Sequence, residues 1–392
     1  MKHLISLTIV LIVMCHALYA QPGIDSIVRA VEQNNTTLLS LRKNAEAELL
    51  AFRTGIFLQN PEISYNHLWG SPAITGNRND LSITQSFDFP TTYAYRNQIA
   101  DLSGEKVATA YEKEKMAILL EARQKCIDLV YANALKVMYT KRLENARRIA
   151  KSFEARFQSG EINVLDYHKA QLNLLNMQQE AEKNERERGL LLASLTGMNG
   201  GKSVLLTDSV FVSQAVDTAF ESFIANAQNN NPSLRLLAWD MAVSQKQEKL
   251  VSALSLPKFQ AGYMSESVVG QQFQGLTVGM TLPLWENKNT LKHQRARTAA
   301  IRGSAADEQL RFYNELKALH SKAIKLQASI VDYKKNLALA DNTVLLNKAL
   351  EAGEISLVSY LFEQSFFIES QVRVLDSEKE LQQVIAVLQQ YQ

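Results

Sequence analysis

The stretch "RFQSGEINVLDYHKAQ" (156–171) is nearly restated by "ALEAGEISLVSYLFEQ" (349–364), and this duplication constrains the fold more than any other feature of the chain. In both, Gly-Glu-Ile interrupts a long helical pattern, at Gly160-Glu161 and again at Gly353-Glu354. The similarity extends along both halves. "IDSIVRAVEQNN" from Ile24 corresponds to "VDTAFESFIANAQNN" from Val216, "NPEISYNHLW" to "LPKFQAGYM", and "FDFP" to "TLPLW". A period this long is no solenoid repeat, whose units run to about 20–50 residues. It is a duplicated unit reading helix, two strands, long helix, turn, long helix.

The strands carry the clearest signal. Leu81, Ile83, Phe87 and Phe89 alternate with polar residues, as do Leu276, Val278, Met280 and Leu282. Their partners are rougher: Ile63, Tyr65 and Trp69 in one copy, Phe259, Ala261 and Tyr263 in the other. Period-two alternation over about ten residues, with aromatics near the ends, suits a strand with one face in lipid and one in water. It equally suits a hairpin half-buried on a soluble core. Four strands cannot close a barrel by themselves, since about eight are needed to enclose even packed side chains. A membrane reading therefore requires several chains to pool their strands.

The helices are unusually long. Between about 92 and 157 there is no proline and Gly104 is the only glycine; between about 287 and 351 Gly303 is the only interruption. Some 65 residues at 1.5 Å each make roughly 100 Å of helix, more than a compact domain needs. Apolar residues recur three and four apart (Leu119, Ala122, Cys126, Leu129; later Ile324, Ala328, Val331), a pattern for lateral coiled-coil packing. These helices alone would also suit an exported periplasmic coiled-coil scaffold.

At the N-terminus Lys2 and His3 precede the apolar run "LISLTIVLIVM", with Ala20 at a plausible cleavage point. This is the pattern of a cleavable signal peptide over 1–20, and the run is shorter than the ~20 residues that span a bilayer. Lipidation at Cys15 is disfavoured because Met14, rather than a small residue, precedes it. Cleavage leaves Cys126 as the single cysteine, in a helical pattern that suits a buried apolar role.

The chemistry of enzymes is missing. Lys+Arg 42 against Asp+Glu 40 leaves no basic footprint for nucleic acid. "GMNGGKS" (197–203) fails as a phosphate loop, because Thr196 stands where its first glycine is required and a helix precedes it. His67, His168, His293 and His320 have no ligand-like spacing. No metal, cofactor or catalytic residue is expected.

Taken together, the Phe157-x-x-Gly160 turn with Asp166-Tyr167-x-x-Ala170-Gln171 after it, "NNNPSL" at 229–234, "SLTG" at 194–197 and "LPLW" at 282–285 resemble the TolC family of outer-membrane efflux channels. The resemblance covers essentially the whole mature chain. It implies a mainly α fold with a four-stranded β contribution, assembled as a homotrimer: a trimeric α-helical barrel in the periplasm continued by a twelve-stranded β-barrel in outer-membrane lipid. Residues 21–206 would form the first repeat, with strands about 61–69 and 80–89, a long helix about 92–157, a tip about 158–165 and a return helix about 166–196. Residues 207–392 would form the second, with strands about 257–265 and 273–283, a helix about 287–351, a tip about 352–357 and a return helix about 358–391.

The resemblance further implies an outer-membrane channel that passively conducts substrate supplied by a periplasmic adaptor (membrane fusion protein) and an inner-membrane efflux pump of the RND type. It places Gly160, Glu161, Asp166, Gly353, Glu354 and Ser359 at periplasmic tips that close the gate and dock the adaptor. Asp166 matches an acidic gate position, whereas Ser359 and Phe362 stand where some members are acidic. The lipid-facing set would be Ile63, Tyr65, Trp69, Leu81, Ile83, Phe87, Phe89, Phe259, Tyr263, Leu276, Val278, Met280 and Leu282. Family members near this length are often associated with heavy-metal cation pumps, so metal cations and small toxic molecules are both candidate cargo.

Overall fold

A computed structural model describes residues 23–212, 216 and 219–391. The expected signal peptide lies outside the described residues. In chain order the elements are α1 (Ile24–Asn34), α2 (Thr36–Phe52), β1 (Glu62–Trp69), β2 (Asn77–Phe87), α3 (Pro90–Gln158), α4 (Val164–Met198), α5 (Phe220–Asn230), α6 (Pro232–Ala253), β3 (Lys258–Val268), β4 (Gln271–Thr281), α7 (Thr290–Leu339), α8 (Thr343–Ala352) and α9 (Leu357–Gln389). Among the described residues, no helix is long and apolar enough to cross a membrane.

Each half opens with two helices, where the sequence pattern suggested one, and an asparagine makes the break in both. Asn35 ends α1 in extended backbone, and its Oδ1 accepts the Leu38 N–H at 2.9 Å to cap α2. In the second half Asn231 accepts the Ser233 N–H at 2.8 Å, with Pro232 in the first turn of α6. An asparagine cap followed by proline is a strong helix start, because the proline lacks the N–H that a first turn cannot satisfy.

The 69 residues of α3 form one unbroken helix of about 104 Å. Its counterpart is interrupted. α7 ends at Leu339, and α8 begins at Thr343, whose N–H is accepted by Asp341 at 3.1 Å. The expected single helix over 287–351 is therefore two helices. The signal was local: Asp341-Asn342-Thr343 is a run of residues that cap and turn rather than continue a helix.

The four strands form one antiparallel sheet in the order β1-β2-β3-β4. β3 and β4 are joined by a two-residue turn, Val269 (φ 44) and Gly270 (φ 81), whose two positive φ values match the twist of a tight hairpin. Phe89 and Leu282 fall just past the ends of β2 and β4. Helix α3 begins at Pro90, and Pro283 has no N–H to continue a ladder.

By contacts the chain divides into two compact units, each drawing on both sequence repeats: one of Met1–Leu39, Lys115–Ala227 and Asn314–Gln392, the other of Ser40–Glu114 and Gln228–Tyr313. Among its described residues the first includes two apolar cores. One gathers Ile27 and Val31 of α1, Ala122, Cys126, Leu129 and Val130 of α3, and Leu195 of α4. The other sits at the helical turns and gathers Ile149 and Phe153 of α3, Ala170 of α4, Leu350 of α8, and Leu357 and Tyr360 of α9. Cys126 is fully buried, and desolvation pushes its thiol pKa up to about 12. In the second unit the helices meet through small and polar residues. Ser244 and Thr298 hydroxyls lie 2.8 Å apart, and the Gln294 amide donates to Ser244 Oγ at 2.9 Å. A Cβ at Gly104 would lie 3.1 Å from Leu49 Cδ2, so the glycine lets α2 and α3 approach closely.

Candidate functional site: one sheet face and two helical turns

Residues directly opposite in an antiparallel ladder share a face, so register decides whether the alternating apolar residues form one surface. They do. Ile63 pairs with Ile83, Ile83 with Tyr263, and Tyr263 with Leu276, a row running across all four strands. The next rows on that face are Tyr65–Leu81–Ser265–Gln274, Gln85–Ala261–Val278, and Phe87–Phe259–Met280, so the apolar band is interrupted by polar residues toward the β3–β4 turn. A one-residue slip at any ladder would have scattered this set to both faces. Many of these side chains face solvent in the single chain: Ile63 is 67% exposed, Val278 83% and Leu276 88%. An apolar face this open is a surface awaiting a partner phase. From Leu81 to Phe87 it extends about 20 Å along β2, at ~3.4 Å per residue. Trp69 stands at the end of β1 opposite Asn77, next to His67 with ring centroids 5.0 Å apart.

The other face is mostly polar. Glu62, Thr84, Gly262 and Thr277 form one row, and Asn66, Asp80 and Glu266 line up in another. Arg78 crosses between them, 2.8 Å from Asp80 and 3.3 Å from Glu266. Leu68, Met264, Val268 and Phe273 are the apolar exceptions on this side. Among the described residues the outer strands β1 and β4 each have one paired side, which leaves a free ladder on both edges of the sheet.

The two Gly-Glu-Ile turns have the same backbone. Gly160 has φ 78 and Gly353 φ 75, the left-handed region where a side chain is strained. In the first, the Glu161 N–H donates to Arg156 O at 2.8 Å and the Gly160 N–H to Phe157 O at 3.1 Å. In the second, the Glu354 N–H donates to Ala349 O at 2.9 Å and the Gly353 N–H to Leu350 O at 3.1 Å. This pair of bonds is the Schellman closure, which satisfies the last carbonyls of a helix. Three residues past each glycine a new helix is capped: Asn163 accepts the Asp166 N–H at 2.9 Å, and Ser356 accepts the Ser359 N–H at 3.1 Å. Ile162 and Ile355, between glycine and cap, tuck against the same apolar core.

The turns differ in side chains. Asp166 occupies the third position of α4, where its carboxylate accepts from Asn163 Nδ2 and from Lys169 Nζ, each at 3.0 Å. It suits a helix N-terminus electrostatically as well as by hydrogen bonding. Its counterpart Ser359 shares a hydroxyl contact of 2.9 Å with Ser356 and brings no charge. Glu161 pairs with Arg156 at 3.3 Å and accepts from Ser159 Oγ at 2.9 Å, while Glu354 is exposed. The structure thus brings Gly160, Glu161 and Asp166 together at one turn and Gly353, Glu354 and Ser359 together at the other.

One residue beside the turns escaped sequence reasoning. Tyr360 is fully buried, and its hydroxyl receives Asn145 Nδ2 at 2.7 Å and Gln364 Nε2 at 2.6 Å and donates to Asn347 Oδ1 at 2.7 Å. The corresponding tyrosine of the first copy, Tyr167, instead stacks on Phe157, with centroids 5.0 Å apart and planes 9° apart. The tyrosine shared by both copies was the available signal. Which of the two would become the buried hub depends on tertiary packing. Among the described residues no three His, Cys, Asp or Glu side chains are grouped to hold a metal ion.

Comparison with known proteins gives no match to any family model and no match among curated proteins. Solved structures do match. The Campylobacter jejuni CmeC outer membrane channel superposes with a TM-score of 0.72 at 15% identity, over 94% of this chain and 85% of that one. The outer membrane protein VceC from Vibrio cholerae gives 0.73 at 12% identity, over 94% of each chain. The open state of the Neisseria gonorrhoeae MtrE outer membrane channel gives 0.69 at 13% identity, over 94% and 88%. With near-complete coverage in both directions, this chain has the fold of these outer-membrane channel proteins.

Proposed function

We propose that the chain is the outer-membrane channel subunit of a tripartite efflux system of the TolC family, conducting passively and hydrolysing nothing. Three copies pool their four strands into a twelve-stranded barrel with the apolar face in lipid and the Arg78–Asp80–Glu266 face toward the lumen. Their helices continue the duct as an α-helical barrel in the periplasm. The observation that carries this reading is the open sheet, with a one-sided apolar face and both edge strands unpaired. Such a sheet is a liability for a lone soluble protein and a building block for a closed barrel.

The two capped turns are the periplasmic tips, where Gly160, Glu161, Asp166, Gly353, Glu354 and Ser359 form the gate and meet a periplasmic adaptor. An inner-membrane pump of the RND type supplies the driving energy and the cargo, which is metal cations or small toxic molecules. Export by the segment 1–20 delivers the chain to the outer membrane. The test is the mass of the native complex together with inter-copy disulfides. Cysteines scanned along β1 and β4 should cross-link one copy to the next and yield a closed three-chain product. A monomer without cross-links overturns the reading.

A further inference from the structure

The sheet is nearly free of charge. Within 63–87 and 259–281 the Asp, Glu, Lys and Arg residues are Arg78, Asp80 and Glu266 alone. All three lie on the polar face, in two adjacent rows beside the β1–β2 connection and the β3–β4 turn. Neither connection, 70–76 or 269–270, adds a charge. Glu62 and Lys258, the first residues of β1 and β3, stand at the opposite end of the sheet and have opposite signs.

Arg78 Nε meets Asp80 at 2.8 Å and Glu266 at 3.3 Å. One carboxylate would balance the guanidinium, so the second leaves each copy with one net negative charge at this end of the sheet. In a twelve-stranded closure, strands ~4.8 Å apart and tilted about 40° set the backbone roughly 12 Å from the axis, and side chains bring the charges to roughly 7 Å. That is inside the screening length of about 10 Å at 0.1 M salt. Three such charges enrich a monovalent cation on the axis roughly fourfold at 0.1 M salt and under about 1.5-fold at 1 M, by Coulomb attraction in water.

We propose that Asp80 and Glu266, tempered by Arg78, make the outer mouth of the barrel a cation filter separate from the helical tips, favouring cationic over anionic solutes. The inference rests on the channel reading, which puts this face in the lumen. The chain order puts these rows at the end of the sheet away from the helices, because α2 leads into Glu62 and α3 follows Phe87.

The test is the reversal potential of the full-length protein in planar bilayers under a KCl gradient, with Asp166→Asn as the background so that this tip carboxylate is silent. Asp80→Asn and Glu266→Gln should each lower the potassium-to-chloride permeability ratio at least about twofold. Arg78→Gln should raise it by a similar factor, and all three differences should fade at 1 M salt. Asn66→Asp adds a carboxylate in the row of Asp80 without breaking the ion network. It should raise the ratio too, and it carries the test where Arg78→Gln assembles poorly. Conducting channels whose ratio ignores these substitutions, or moves the same way for both signs of charge, overturn the inference and leave the channel reading standing. A silent bilayer overturns both.

Discussion

Asn145 of α3 donates a 2.7 Å hydrogen bond to the hydroxyl of Tyr360 on α9, joining the first copy of the duplicated unit to the second at the level of the turns. Asn347 and Gln364 share the same hydroxyl. Tyr360→Phe keeps the ring and removes the oxygen, which leaves three part-buried amides each short of one partner. A loss of about 1–3 kcal/mol in stability is expected, read by thermal or denaturant unfolding. Reconstituted channels should also show a higher resting open fraction. A variant that melts and conducts like the native protein would mean that this bond fastens nothing.

Gly353 has φ 75 and open space around its Cα, so a side chain there meets backbone strain and no clash. Gly353→Val should cost about 1–2 kcal/mol and impair efflux complementation while membrane insertion persists. Gly353→Asn should recover much of the loss, because asparagine tolerates the left-handed region. Equal damage from both substitutions would point to packing rather than φ as the cause. Gly160, with φ 78, should behave the same way.

Much of this was legible in the residues, for a physical reason. A helix that closes through a left-handed residue strongly favours glycine, so Gly160 and Gly353 announced their turns. Alternation likewise places Ile63, Ile83 and Tyr263 on one face once the register is known. Phe89 and Leu282 were misassigned to strands because alternation continues past the point where Pro90 and Pro283 end the ladder. The break after Leu339 was overlooked because no glycine or proline marks it; the Asp-Asn-Thr run does the work through side-chain bonds. Tyr360 was invisible as a special residue, because one of its hydroxyl partners, Asn145, stands 215 positions away in the other copy.

The two faces of β4 should respond oppositely to charge. Val278→Arg places a cation on the apolar face and should cost about 2–4 kcal/mol near the bilayer midplane, seen as reduced outer-membrane assembly. Thr277→Arg, one residue away on the polar face, should assemble normally and change only conductance. Equal assembly defects from both would show that the sheet does not face lipid.

Asp128 is half-buried against α9, where Gln383 donates to its Oδ1 at 2.9 Å. Desolvation raises its pKa above the ordinary 3.8, though Lys379 opposes the shift. A carboxyl with a raised folded pKa favours the folded state fully below its unfolded pKa and loses that contribution as pH rises through the folded value. Asp128→Asn should therefore stabilise the protein at neutral pH, with the advantage shrinking below about pH 4. Unfolding midpoints of both proteins across pH 3–8 check the sign, and a variant less stable at pH 7 contradicts it.

The central claim is that separate copies complete one conducting pore. Purified protein added to a planar lipid bilayer should insert as the three-chain complex and give stepwise, uniform ion conductance. Asp166→Asn should shift that conductance or its cation preference. A stable single chain that leaves the bilayer silent would contradict the account.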